Sequence, residues 1–197
     1  MTVSNSARTA GRPRSSEADQ AILATTLRLL VEQGYDAMSI EGVAAAAGVG
    51  KTTIYRRYPS KRELVVAAVS SLAESVWPPP DSGDLRADLL AFMREMYAAL
   101  AQGPGFALLG TLLVHERDDP ELIALFRQRI VQPRMEIVAG LLRRGIARGE
   151  VRADAPVEVA VQMLAGAIFA HHVAGLPDDP AWLSTVLDTI WWGLATH

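Results

Sequence analysis

Apolar side chains recur along this chain every three or four positions, the spacing that lines one face of an α-helix. Ile22, Thr26, Leu29 and Leu30 form such a stripe in a first helix, opened near Ser16 with Asp19 completing a capping-box-like start and stopped at Gly34. Ser60-Lys61-Arg62-Glu63 reads as a capping box that opens a helix running to about Trp77, and Pro78-Pro79-Pro80 ends it as a stiff joint. Leu89, Phe92, Met93, Met96, Tyr97 and Leu100 mark a helix to Ala101, which Gly103-Pro104-Gly105 breaks. A mostly apolar helix follows from Phe106 to Arg117, and Asp119-Pro120 caps a long rod to Arg148, which Pro133 should kink. Gly145 and Gly149 should loosen the end of that rod. Val157 to Ala174 is a further helix rich in alanine and glycine, and Asp179-Pro180 starts the last one. No βαβ pattern appears, so the predicted fold is all-α, with about nine helices in a three-helix head and a helical C-terminal body.

The head is organised by Ser39 to Lys61. Ser39 is placed to cap a short helix containing Val43, Ala44, Ala46 and Ala47, whose small side chains admit a neighbouring helix. Gly48 falls where the chain must turn, and Val49 plugs the turn. A second helix is expected from Lys51 to Tyr58, ended by Pro59. Ile54 and Tyr58 would share its buried face, leaving Thr52 and Arg56 outward and Lys51, Thr53, Tyr55 and Arg57 on the flanks. This is the layout of a helix-turn-helix, and basic, hydroxyl and phenolic groups are those that phosphates and base edges accept.

The same segment also satisfies a relaxed phosphate-loop pattern through Ala45-x4-Gly50-Lys51-Thr52, which raises the alternative of a P-loop-like nucleotide-binding enzyme. Such a loop needs a hydrophobic strand just before it, whereas Ser39 to Ala47 has helical propensity.

Charge separates the two parts. Residues 1–62 hold nine Lys and Arg against five Asp and Glu, and residues 63–197 hold ten against seventeen. A basic head on an acidic body points to a polyanion partner at one end. The chain has no cysteine, which excludes disulfides and thiolate metal sites. Its first residues lack the apolar core of a signal peptide, and Met163 to Leu176 is too short to span a bilayer, so no membrane partner and a cytoplasmic location are expected. Neither His115, His171, His172 nor His197 has metal-ligand spacing, and no nucleophile elbow or dinucleotide turn occurs, so no catalytic site, metal or cofactor is expected.

With helix one, the glycine stop and Ser39 ahead of it, A-G-V-G-K-T-T-I-Y-R-R-Y-P-S-K-R-E-L resembles the DNA-binding head of TetR-family transcriptional repressors over about residues 17–65. The resemblance implies an all-helical homodimer that binds a palindromic operator on double-stranded DNA and releases it when a small molecule enters the C-terminal body. By position it implies that Ser39 and Lys61 hold phosphates, and that Lys51, Thr52, Thr53, Tyr55, Arg56, Arg57 and Tyr58 lie in or beside the groove. Gly50 stands where the family often has Ser or Glu, and Glu41 is acidic where some relatives read bases with a basic residue.

Three segments are expected: a flexible basic arm over 1–15, a helix-turn-helix DNA-binding domain over 16–60, and a ligand-binding and dimerisation domain over 61–197. The arm carries Arg8, Arg12 and Arg14. Phe92, Met96, Tyr97, Phe106, Leu109, Leu113, Phe126 and Ile130 are candidates to line an effector pocket, and the scarcity of charge on those faces predicts an apolar or aromatic ligand with one or two polar handles. The last two helices carry more apolar surface than one small body can hide. Val161, Ala165, Ile168, Trp182, Val186 and Ile190 are the candidates for a two-fold seam.

Overall fold

The computed structural model describes residues 13–75, 80–101, 104–177, 179 and 181–195. The N-terminal arm through residue 12 and the Pro78-Pro79 part of the joint lie outside these residues. The chain divides into two compact units, Met1–Ser71 and Leu72–His197.

The first unit holds α1 (Pro13–Ala37), α2 (Ile40–Ala47), α3 (Lys51–Tyr55) and α4 (Lys61–Ser71). Helix α1 starts at Pro13, before the expected Ser16, so Asp19 lies within it rather than at its cap. Gly34 interrupts α1 with φ 78 and ψ 167, and one further turn continues to Ala37. Ile22, Leu30, Val43, Ile54, Leu64, Val65, Ala68 and Val69 are fully buried and form the head's core. Leu64, Val65, Ala68 and Val69 all belong to α4, which packs on α1. That apolar face holds α4 in the head, although its sequence position suggested the start of the body. Helix α4 ends at Ser71 and passes into a 3-10 turn to Ser75, and Trp77, the expected end, lies outside the described residues.

The second unit holds α5 (Leu85–Ala101), α6 (Gly105–Val114), α7 (Pro120–Phe126), α8 (Gln132–Arg148), α9 (Val157–Val173) and α10 (Trp182–Trp191), and α5, α8, α9 and α10 build its main core. Leu89, Met93, Leu141, Leu142, Leu164, Ile168 and Leu187 sit at its centre. The long rod is not one α-helix. Arg127–Val131 form a π-turn, in which the Gln132 amide reaches the Arg127 carbonyl five residues back. Pro133 follows directly; its ring removes an amide that a regular ladder would need, so the irregularity falls one turn before it. Counting α7, the π-turn and α8 as one rod gives nine helices among the described residues, and no strand beyond the isolated Val151–Ala195 bridge.

Gly145 does not loosen α8. A methyl group there would stand 2.2 Å from Leu85 Cδ2 and 2.9 Å from Val151 Cγ2, so the glycine lets α8 press onto α5. The segment before α5 is fastened through Asp88, which is 3 % exposed and accepts from the Ser82 amide at 3.1 Å and the Ser82 hydroxyl at 2.6 Å. Arg144 donates to the Pro80 carbonyl at 2.8 Å, so one arginine of the rod's end holds the joint.

Candidate DNA interface and effector cavity

Local caps build the helix-turn-helix. Ser39 is extended, and its Oγ accepts from the Gly42 amide at 3.1 Å, satisfying one orphan donor of α2. At the other end Gly48 is left-handed, with φ 66. Its amide reaches the Ala45 carbonyl at 3.3 Å and the Val49 amide reaches Ala44 at 3.0 Å, the two bonds of a Schellman motif. Gly50 opens α3 in an ordinary extended conformation, φ −69 and ψ 138, with no side-chain cap.

Helix α3 ends at Tyr55, three residues earlier than its sequence suggests, although the Tyr58 amide still bonds to the Ile54 carbonyl at 2.8 Å. Ile54 is fully buried and anchors the helix. Lys51, Thr52, Tyr55 and Arg56 are exposed, and Thr53 is half-buried. Ser39, Glu41, Tyr55, Pro59 and Ser60 line one surface depression, with the Tyr55 hydroxyl 3.5 Å from Glu41. The exposed face therefore joins the N-terminus of α2 to the outer side of α3.

Three of the expected groove residues are turned elsewhere. The Tyr58 hydroxyl donates to Asp19 at 2.9 Å, and Arg57 Nε lies 3.6 Å from the same carboxylate. Both side chains thus tie the end of α3 to α1. Burial first, then the Asp19 hydrogen bond and charge, push the Tyr58 phenol up to about 12. Lys61 donates to the carbonyls of Tyr35 at 2.8 Å, Met38 at 3.2 Å and Asp36 at 3.3 Å, and its ammonium lies 4.5 Å from the centre of the Tyr35 ring. An ammonium at the first turn of α4 disfavours that helix, but it caps the carbonyl end of α1, which Gly34 left open. The first half of the Ser60 capping box is present, Ser60 Oγ accepting from the Glu63 amide at 3.1 Å.

The phosphate-loop alternative fails on local structure. Ala45 to Ala47 lie in α2, no strand precedes Gly50-Lys51-Thr52, and α3 is five residues long.

In the second unit a cavity of about 380 Å3 opens between α5, α6, α8, α9 and the π-turn. Met96, Leu109, Phe126 and Ile130 line it as their spacing suggests. The other four candidates are placed elsewhere. Phe92 is core at 2 % exposure, and Leu113 is 48 % exposed. Tyr97 meets Trp182 edge to face, and Phe106 stacks on His172 with ring centres 3.7 Å apart. Leu72, Leu100, Leu108, Met135 and Phe169 also line the cavity, as do the polar Arg134 and Gln162, none of which helical spacing alone marks as lining. Pro133 was the available signal, since it perturbs the turn whose side chains face the cavity.

Apolar residues fall on more than one face of helix α9, and the structure chooses which of them is buried. Val161 and Ile168 are 4 % and 0 % exposed, inside the core of their own unit, and cannot also meet a second chain. Ala165 borders the cavity, Trp182 stacks on His171 with ring centres 4.0 Å apart, and Val186 and Ile190 are half-buried against the core. The outward stripe is Val159, Met163, Gly166, Ala170 and Val173, all exposed, with Trp192 exposed at the end of α10. Among the described residues no group of three or more His, Asp or Glu gathers as for a metal ion, and no single helix is long and apolar enough to cross a membrane.

Comparison with known proteins adds an independent line. Residues 22–68 match the family model of bacterial regulatory proteins of the tetR family, and residues 79–190 match that of the tetracyclin repressor-like C-terminal domain. The chain is 33% identical over 174 residues to an uncharacterized HTH-type transcriptional regulator of Mycobacterium tuberculosis, covering 88% of this chain and 82% of the relative. It is 32% identical over 182 residues to the DNA-binding transcriptional repressor TetR of Mycobacteroides abscessus, covering 90% and 93%. Among solved structures, the TetR family transcription regulator SCO0332 superposes with a TM-score of 0.66 at 30% identity, over 91% of this chain and all of that one. The Flavonoid-responsive Regulator FrrA shares the fold, with a TM-score of 0.72 at 23% identity over 92% and 99%.

Proposed function

The chain belongs to the TetR family of DNA-binding transcriptional regulators, and from that premise we propose that it is a homodimeric repressor. On this reading it works in the cytoplasm, holds a palindromic operator, and leaves it when a small apolar or aromatic molecule occupies the α5–α9 cavity. DNA recognition falls to the head from α1 to α4, with α4 as its brace, and the effector site and the dimer seam fall to residues 72–197.

The observation that carries the proposal is the solvent face of the helix-turn-helix. Lys51, Thr52, Tyr55 and Arg56 point outward from a helix pinned by a fully buried Ile54. Thr52 and Arg56 are suited to base edges, and Lys51 and Tyr55 to phosphate. Thr53 flanks them. Ser39 is exposed, and its oxygen already accepts from Gly42, so its hydroxyl proton is available to a phosphate. Arg57, Tyr58 and Lys61 act behind this face as braces. Two heads on a two-fold axis then meet successive major-groove turns of one site. The outward stripe of α9 with Trp192 supplies the apolar area for that axis.

Selection of bound fragments from a random duplex pool at low ionic strength tests the reading. The expected result is enrichment of an inverted repeat, bound by the wild-type dimer and lost with Arg56→Ala. Absence of binding to any duplex by the folded protein overturns it.

A further inference from the structure

Two hollows in the second unit share a wall. The effector cavity, about 380 Å3, and an open groove of about 590 Å3 along α8 and α9 are both lined by Met135 and Gln162. On α9, Glu158, Gln162, Ala165 and Phe169 follow one another at helical spacing and so form one row on the side toward α8. The row begins in the groove at Glu158, passes the shared wall at Gln162 and ends in the cavity at Phe169. Met135 is half-buried and Gln162 exposed, and both are unbranched, flexible side chains that can swing aside.

The two hollows differ in chemistry. Met96, Leu108, Phe126 and Phe169 make the cavity apolar. The groove presents the exposed amides of Gln128, Gln132 and Gln162, each with donors and an acceptor. Its charged side chains are already joined: Arg143 donates to Glu136 at 2.6 Å and to Glu158 at 3.2 Å. Among the described lining residues of the groove, therefore, an anionic head group finds no unshared cation. Both carboxylates are largely exposed to screening water, so a cationic head gains little either. Hydroxyl groups, which donate and accept, are what the amides match best.

We infer that the effector is a two-part amphiphile, its apolar body in the cavity and an uncharged, hydroxyl-bearing head in the groove, joined past Met135 and Gln162. This rests on the reading of the cavity as the effector site and extends the ligand beyond it. An apolar cavity binds without orienting; polar groups converging at its mouth supply the orientation, and the glutamines stand there.

Calorimetric titration of the full chain with octyl glucoside, octanol and octanoate, all below micelle-forming concentrations, is the test. The three share an alkyl body and differ in the head. Octyl glucoside should bind at least roughly tenfold more tightly than octanol, and octanoate no more tightly than octanol. Replacing two exposed amides together, Gln128→Leu with Gln132→Leu, should bring the glucoside to within about threefold of octanol by weakening the glucoside alone. Ala165→Phe, which puts a ring into the cavity, should weaken both at least roughly tenfold. Equal affinity of glucoside and octanol for the wild-type protein overturns the inference. So does a glucoside advantage that survives the double variant, or octanoate binding more tightly than the glucoside. Binding of none of the three overturns it too. Should the double variant fail to fold, the wild-type order of the three probes still decides. Ala165→Phe separates the two levels: octanol lost there, with no glucoside advantage in the wild type, keeps the cavity as effector site and removes the head. Octanol untouched by Ala165→Phe removes the cavity reading, and the inference with it.

Discussion

The hydroxyl of Tyr58 donates to the carboxylate of Asp19 at 2.9 Å, joining the end of the recognition segment to α1 across thirty-nine residues. A five-residue helix has too few internal hydrogen bonds to hold its own direction. The direction of α3 therefore depends on such ties and on Ile54. With the phenol held at about 12, the folded head keeps a proton that the unfolded chain gives up near its ordinary value of 10. The contribution is complete below pH about 10 and is lost as pH rises toward about 12. Tyr58→Phe should cost about 1 kcal/mol near neutrality and flatten this alkaline decline. Urea melts of the wild-type and variant across that range check both.

Lys61 and Arg56 should separate cleanly in salt titrations. Arg56→Ala should relax base preference, by about 1–3 kcal/mol at the position it reads. If it also touches phosphate, the log–log salt slope should fall by roughly 0.9. Lys61→Met should leave that slope unchanged and lower head stability by about 1–2 kcal/mol, because three carbonyls of the α1 terminus lose their donor. Anisotropy against salt, with melts in parallel, gives the comparison. A slope that drops for Lys61→Met would assign it to phosphate instead.

Gly166 lies mid-way along the outward stripe of α9, and a Cβ added there meets nothing within 4 Å of its own chain. Gly166→Arg should keep or raise the melting temperature, since arginine is the better helix former by roughly 0.8 kcal/mol. It should break the dimer and with it most of the affinity for an inverted repeat. Light scattering at micromolar concentration, beside a melt, reads both effects.

Gly145→Val tests the closeness of α8 and α5. The added atoms would enter space held by Leu85 and Val151, which are 2 % and 1 % exposed. Overpacking of this kind costs about 1–3 kcal/mol. The loss should appear in thermal unfolding of the body, while Gly50→Ser, at an unstrained cap, should change stability by no more than about 0.5 kcal/mol.

How much of this was legible in sequence follows the reach of each interaction. Ser39, Gly48, Ser60 and Asp119 act on backbone a few residues away, so their caps could be read directly, and the Asp119 carboxylate does accept from the Leu122 amide at 3.2 Å. The helix-turn-helix follows from such local devices. Lys61 could not be read that way, because its partners lie some twenty-five residues back and exist only where Gly34 breaks α1. Helix α9 gave no face to choose: Val161 and Val159 are equally apolar, and only the pull of α8 and α10 decides which is buried. Arg134 has no sequence signal of its own, since an arginine in a rod usually faces water. The π-turn and Pro133 set it beside a cavity instead.

A turn with one residue too many is the only slack in a rod otherwise fixed in phase among the described residues. Deleting one residue from 127–131 would remove the extra residue of the turn and leave the break at Pro133, with Leu122 to Phe126 and Val138 to Leu142 facing much as they do. The same deletion after Pro133 would spin everything downstream by about 100° and carry Leu141 and Leu142 out of the interior. Length variation among related chains should therefore collect in that turn, where a lost residue reshapes one wall of the cavity and spares the scaffold.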